Sequence, residues 1–240
     1  GYNHIDVSAA RAKGPSVTNT PGAVTDATAD IAMTLMLMTA RRAGEGERLL
    51  RSGKWEGWHP TQMLGLHLSG KTVGIIGMGR IGQAIARRCH FGFGMRVVYV
   101  SRSPKELSFE AEKCRSIMDA ASKADVIVVA VPGGVETKHL INDSVFAAMQ
   151  SHAIFVNIAR GDIVDEAALI RCLQNGQISG AGLDVYEFEP KVPDKLKTME
   201  NVTLFPHLGT ASMEVRTGMG NMALDNIEAF INGQTPMNLV

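Results

Sequence analysis

Thr72-Val73-Gly74-Ile75-Ile76-Gly77-Met78-Gly79-Arg80-Ile81-Gly82 sets an apolar, β-branched run directly before a G-x-G-x-x-G turn that opens a helical pattern. A bare glycine hexapeptide is a weak signal, but strand, turn and helix in this order predict a phosphate cradle. Gly77 permits the tight turn, Gly79 lets the backbone approach a pyrophosphate, and Gly82 lets helix and strand pack closely. The free N–H groups and positive dipole end of the helix starting near Ile81 would then face the phosphates.

Outward from this point, short apolar runs alternate with helical patterns. Strands are expected over Thr72–Ile76, Arg96–Val100, Val126–Val131, Ile154–Ile158, Ala181–Val185 and Val202–Phe205. The run Val126 to Val131 is apolar throughout, as a parallel strand covered on both faces reads. Helices are expected over Ile81–His90 and Asp165–Asn175, with one long N-terminal helix from about Asp26 to Ser52, capped by Thr25 and closed by Gly53. The apolar residues of that long helix (Ile31, Met33, Leu35, Met36, Leu37, Met38) cover much of its circumference, so it reads as a core helix with surface left for a homodimer contact. The fold class is therefore α/β, a doubly wound parallel sheet.

The chain of 240 residues is 45% hydrophobic and 20% charged, an ordinary globular composition. Lys plus Arg is 24 and Asp plus Glu is 24, a formal net charge of 0, which lacks the footprint of a nucleic-acid or membrane-surface binder. Cys89, Cys114 and Cys172 show neither disulfide-framework nor metal-ligand spacing, which points to no metal and to a reducing, cytoplasmic compartment. No apolar run reaches membrane-spanning length. The chain begins at Gly1 on what reads as the middle of a folded unit, so truncation at the N-terminus is expected.

The end of the second strand reads Tyr99-Val100-Ser101-Arg102-Ser103. Ser101 lies 19 residues past Gly82, where an NAD site places an acid that accepts from the ribose hydroxyls. Without that carboxylate a 2′-phosphate is not repelled, and Arg102, flanked by Ser101 and Ser103, can pair with it. NADP is the expected cofactor, with NAD the alternative.

Three more segments follow predicted strands: Asn157-Ile158-Ala159-Arg160-Gly161, Asp184 to Pro190, and Pro206-His207-Leu208-Gly209. In open α/β sheets ligands bind beyond the carboxyl ends of the strands, so Arg160, a glutamate and His207 should converge on one crevice.

These segments resemble the D-isomer-specific 2-hydroxyacid dehydrogenase family. The resemblance rests on Leu68 to Gly77 (LSGKTVGIIG), Asn157 to Leu169 (NIARGDIVDEAAL), Gly182 to Pro190 (GLDVYEFEP) and Pro206-His207-Leu208-Gly209. Gly1-Tyr2-Asn3-His4-Ile5-Asp6, Val17 to Gly22 and the tail Gly233 to Val240 match as well, and Trp55-Glu56-Gly57-Trp58-His59-Pro60 resembles the glyoxylate/hydroxypyruvate reductase branch. The resemblance implies an oxidoreductase that transfers a hydride from NAD(P)H to a small 2-keto acid, giving the D-2-hydroxy acid. Phosphoglycerate- or formate-dehydrogenase-like enzymes and a dinucleotide-sensing module of the corepressor type are the rival readings. It implies Arg160 as the substrate-binding arginine, His207 as the acid/base and Glu189, the residue before Pro190, as its partner. Arg80 and Ile81 match the pair at the pyrophosphate. Asp184 matches the residue that holds the nicotinamide carboxamide. Val131, Pro132, Thr137, Ile158, Ala159 and Gly209 match other positions around the cofactor.

The family has two domains, so residues 21–209 are expected to form the cofactor domain. Residues 1–20 read as a remnant of a second, flavodoxin-like substrate domain, and residues 210–240 as a helix returning to it. The sequence departs from the family at Ser101 and in the glycine-rich loop Pro132-Gly133-Gly134.

Overall fold

The computed structural model of the chain describes Tyr2 and residues 4–240; positions 1 and 3 of the N-terminal motif lie outside it. In chain order the helices are α1 (Val7–Lys13), α2 (Thr25–Ala40), α3 (Ala43–Arg51), α4 (Arg80–Arg87), α5 (Ile117–Lys123), α6 (Asp143–Ala148), α7 (Glu166–Gln174), α8 (Asp194–Thr198) and α9 (Met213–Ile231). The strands are β1 (Thr72–Ile76), β2 (Arg96–Val100), β3 (Glu112–Lys113), β4 (Val126–Val129), β5 (Ile154–Asn157), β6 (Gly180–Leu183) and β7 (Val202–Leu204).

Among the described residues, seven strands pair in parallel in the order β3-β2-β1-β4-β5-β6-β7. The order reverses between β1 and β4, and ligands settle at such a switch point. Alternate strand residues feed two cores. Val73, Ile75, Val126, Val128, Ile154 and Val156 pack under α2 and α4, while Ile76, Ile127, Val129 and Phe155 pack under α5, α6 and α7. Burial on both faces explains the unbroken apolar strands.

Six strands stand where the sequence places them, four of them ending one to two residues early. Val131, Ile158 and Val185 belong to the loops beyond the strand ends. The seventh, β3, was not expected: two exposed residues at a sheet edge carry no apolar run to read. The long N-terminal helix is two helices. Arg42 takes a left-handed conformation (φ 51°) that breaks the helix after α2. Thr25 is not a cap: Val24 occupies that position without a side-chain hydrogen bond, and Thr25 is the first helical residue. The first turn instead gains Asp26, favourable near the dipole's positive end. Ala29, Ala32, Leu35 and Met36 are fully buried, so α2 is a core helix.

Near the termini, Thr18 bridges antiparallel to Leu239, Asn19 N–H donates to the Asn238 carbonyl, and Val240 N–H donates to the Val17 carbonyl. No described helix is long and apolar enough to cross a membrane.

Candidate active site

The cleft at the switch point is built first by backbone. Gly77 (φ 104°) makes the turn after β1, and a Cβ there would lie 2.7 Å from the Ala130 carbonyl carbon. A Cβ on Gly82 would lie 2.0 Å from the Gly77 carbonyl oxygen, so only hydrogen fits where α4 crosses its own turn. Gly79 caps α4 with no side-chain acceptor, and a Cβ there would meet open space. By contrast α5, α6, α7 and α9 begin on Ser116, Asn142, Asp165 and Ser212, whose side chains accept from the first turn. The first N–H groups of α4 are thus not met by a side-chain cap, the condition under which a helix start receives an anion.

A cleft of about 680 Å³ runs from this turn across the sheet's carboxyl edge. Gly79, Arg80 and Ile81 line one end; Val131, Pro132, Ile158 and Ala159 line the floor; Arg160, Asp184, His207 and Gly209 line the other end.

Each polar group is held from behind. Asn157, 1% exposed, accepts from Ala159 N–H (3.0 Å) and donates to the Arg160 carbonyl (2.9 Å), fixing the turn after β5. Arg160 Nη1 donates to the Ala159 carbonyl at 2.7 Å. The turn then presses on the loop after β6, because a Cβ on Gly161 would lie 1.8 Å from the Tyr186 carbonyl carbon. Asp184 is buried and accepts from Leu208 N–H (2.6 Å) and Gly209 N–H (2.8 Å). Burial pushes its carboxyl up, and the two backbone donors oppose that rise. His207 has a left-handed backbone (φ 58°), and its N–H donates to the Asp184 carbonyl at 2.9 Å. Its ring Nδ1 meets Glu189 Oε2 at 2.9 Å, while Glu189 Oε1 accepts from Tyr186 N–H at 3.0 Å. One carboxylate therefore orients the ring and is itself oriented by backbone.

Arg160, Asp184 and His207 share the cleft, with Glu189 behind His207. Gly77 and Gly82 form the turn from beneath. Ser101, Arg102 and Ser103 follow β2 beside that turn, since Gly77 N–H donates to the Val100 carbonyl at 2.9 Å. They lie outside the cleft lining. Ser101 donates to the Ser103 carbonyl (2.6 Å), and the exposed Arg102 makes no hydrogen bond or ion pair among the described residues. Thr137 also lies outside the lining: its hydroxyl sits 2.9 Å from the Pro132 carbonyl and braces its own loop.

Thr20, Gly22, Val24, Thr25 and Thr28, to which the sequence assigns no site role, also line the cleft. Thr28 hydroxyl donates to the Gly209 carbonyl at 3.1 Å, tying α2 to the His207 loop. Its only advance signal is a hydroxyl near the start of a helix. Asn157 carried a better one, an amide at a strand end able to hold the next two residues.

The sequence model of the family "D-isomer specific 2-hydroxyacid dehydrogenase, NAD binding domain" matches residues 33–209. The glyoxylate reductase of Thermococcus kodakarensis is 49% identical over all of this chain, which spans 74% of that protein. The glyoxylate reductase of Pyrococcus horikoshii is 47% identical, with 73% of its length spanned. A solved NADPH-dependent glyoxylate/hydroxypyruvate reductase from Sinorhizobium meliloti, in complex with NADP and malonate, superposes with a TM-score of 0.92 at 42% identity. That match covers 100% of this chain and 75% of the solved one. With the family model matching residues 33–209 and relatives 47–49% identical over the whole chain, the chain belongs to the D-isomer-specific 2-hydroxyacid dehydrogenases.

Proposed function

We propose that the protein reduces a small 2-keto acid of the glyoxylate or hydroxypyruvate kind to the 2-hydroxy acid, with NADPH preferred over NADH. The observation that carries this reading is the meeting of an open helix start, Arg160 and the Glu189-held His207 in one cleft. The relatives named above act on such acids, and one of them is solved with NADP.

The residues present fit a dinucleotide. Gly77 and Gly82 leave no room for a side chain, while Gly79 opens onto the cleft, so backbone can approach a pyrophosphate there. Arg80 and Ile81 would flank it. Arg102, with Ser101 and Ser103, would pair a 2′-phosphate. Val131, Pro132, Ile158 and Ala159 would form an apolar floor for the nicotinamide, and Asp184 would accept from its carboxamide. When bound, the reduced cofactor supplies the hydride.

Arg160 holds the substrate carboxylate, its planar fork matching two oxygens at once. Imidazolium His207 gives the Nε2 proton to the carbonyl oxygen as that oxygen becomes a hydroxyl. Nδ1 stays with Glu189, which steadies the charged ring. In the reverse direction the neutral ring takes the proton back.

The same reading assigns residues 21–209 to a cofactor unit and residues 1–20 with 210–240 to a second unit. The pairing of residues 17–19 with 238–240 supports it. A homodimer and a cytoplasmic setting also belong to this reading; the latter is supported by the three free, buried cysteines.

The test is NADPH oxidation with glyoxylate and hydroxypyruvate by the wild type and Arg160→Ala. Loss of the charge-assisted pair should cost about 3 kcal/mol, roughly a hundredfold in kcat/KM. A variant with near-normal kcat/KM overturns the assignment.

A further inference from the structure

Two histidines of this chain have left-handed backbones, His207 (φ 58°) and His139 (φ 49°). Such conformations in non-glycine residues persist where the surroundings enforce them. Both rings meet a carboxylate of one short loop, the segment after β6. His207 meets Glu189, and His139 Nε2 meets Glu187 Oε1 at 2.7 Å. The proposed mechanism uses the first pair and leaves the second unexplained.

The second pair is a knot of three loops. Backbone of His139, after β4, donates to the Asp162 carbonyl at 2.8 Å, one residue beyond the Arg160-Gly161 turn after β5. Its ring reaches across to Glu187, in the loop after β6. Glu187 and Glu166, the first residue of α7, exchange backbone N–H to carboxylate contacts in both directions at 3.4 Å. Gly161 lies flat against the Tyr186–Glu187 peptide between them. The Glu187 side chain is only 12% exposed and Glu166 is buried, so without the ring one carboxylate would face another in a half-dry site. Like charges so placed repel.

We infer that His139 is a positioning residue for keto-acid binding: through Glu187 it presses the Tyr186–Glu189 loop onto the Arg160 turn. This rests on the function proposed above. His139 lies outside the cleft lining, and its hydrogen bonds run to Asp162, Asn142 and Glu187 rather than to the glycine turn, so its effect falls on Arg160 and the Glu189-held His207 rather than on the dinucleotide. Small displacements of such a group are costly because the reacting atoms must meet in a narrow geometry.

The experiment compares wild type, His139→Ala and His139→Gln in the full chain. Hydrogen–deuterium exchange is followed over residues 158–165 and 184–189. In His139→Ala kcat/KM for glyoxylate should fall about tenfold, since both the Arg160 turn and the Glu189 that holds His207 are loosened, with the NADPH Kd changing less than about threefold. Exchange in both segments should quicken at least about threefold. In His139→Gln the side-chain amide still reaches Glu187 as a donor, and both readouts should return toward wild type. A general loss of folding would lower kcat and cofactor binding together and escape rescue, which overturns the inference. So would an active wild type matched by His139→Ala in kcat/KM and exchange. A wild type inactive on keto acids, with the exchange effect and its rescue present, would sink the function and leave the coupling of the loops standing.

Discussion

Ser101 follows β2 beside the Gly77 turn, and it brings a hydroxyl to the place where an acid would accept from both ribose hydroxyls. In Ser101→Asp the new carboxylate repels a 2′-phosphate and offers that acceptor, so the ratio of kcat/KM for NADPH over NADH should fall by roughly tenfold or more. A wild type that already favours NADH, with an Arg102→Ala variant unchanged in NADPH KM, removes the basis of the cofactor preference. Glu166 makes a second case. It is 7% exposed, and burial raises its carboxyl above the ordinary value; the Glu187 N–H opposes this, and the Glu187 charge adds to it. The folded state therefore keeps the proton to higher pH than the unfolded chain. Stability from this group is full below the unfolded value, about pH 4.3, and is lost as pH rises through the raised folded value. Glu166→Gln does not titrate, so its stability relative to wild type should climb between about pH 4 and pH 7. Denaturant midpoints at both pH values check this; a pH-independent difference would refute it. At this scale the sequence pointed to Arg160, Asp184 and His207, which line one cleft, because they stand at strand ends where a parallel sheet collects its polar groups. It did not show the residues that hold them. Thr28 and His139 reach their backbone and carboxylate partners 181 and 48 positions away, and no local pattern announces those.

The unit β1–turn–α4 was legible because sterics demand particular residues at fixed offsets: a positive φ at Gly77 and a contact closer than any Cβ allows at Gly82. Gly82→Ala sets a methyl 2.0 Å from a backbone oxygen, so the turn or the helix must move. The expected cost is about 1–3 kcal/mol of stability, together with at least tenfold weaker NADPH binding. Thermal melts and fluorescence titration of that variant give the two readouts. A folded Gly82→Ala with wild-type NADPH affinity would mean that α4 does not seat the pyrophosphate. The elements that were misread failed for equally local reasons. Arg41-Arg42 contains neither Gly nor Pro, and the break after α2 comes from Arg42 adopting φ 51° while its side chain pairs with Glu45 at 2.7 Å. Leu66 N–H then donates to the Ala40 carbonyl at 2.7 Å, so the chain returning at Leu66 replaces the hydrogen bond that a continued helix would have made. A partner 26 residues away supplies that bond, and helical periodicity cannot foresee it.

At the scale of the molecule the open question is what meets the surface running from α2 through α3 to residue 64. Leu37, Leu50, Trp55, Trp58 and Leu64, all within one 28-residue stretch, are 37%, 62%, 50%, 76% and 67% exposed. A groove of about 640 Å³ between α2 and the π-helical turn Arg88–Gly92 after α4 includes Leu37 and is edged by the Arg88 pairs to Asp26 and Asp30 at 3.0 and 2.9 Å. Exposed tryptophans are enriched in strong protein contacts. A formal net charge of 0 opposes no approach of a second copy. One patch used twice about a two-fold axis buries all of it without a second kind of surface. The prediction is a homodimer at micromolar concentration by light scattering, shifted to monomer by Leu50→Arg with Trp58→Arg while far-ultraviolet dichroism stays unchanged. The exposed face of α9, with Leu224, Ile227 and Phe230 at 63%, 55% and 62%, is the matched control. Leu224→Arg with Ile227→Arg places equal charge on equally apolar surface and should leave the dimer intact. A monomeric wild type, or a dimer lost through α9 and kept in the Leu50–Trp58 variant, would move the contact away from α2 and α3.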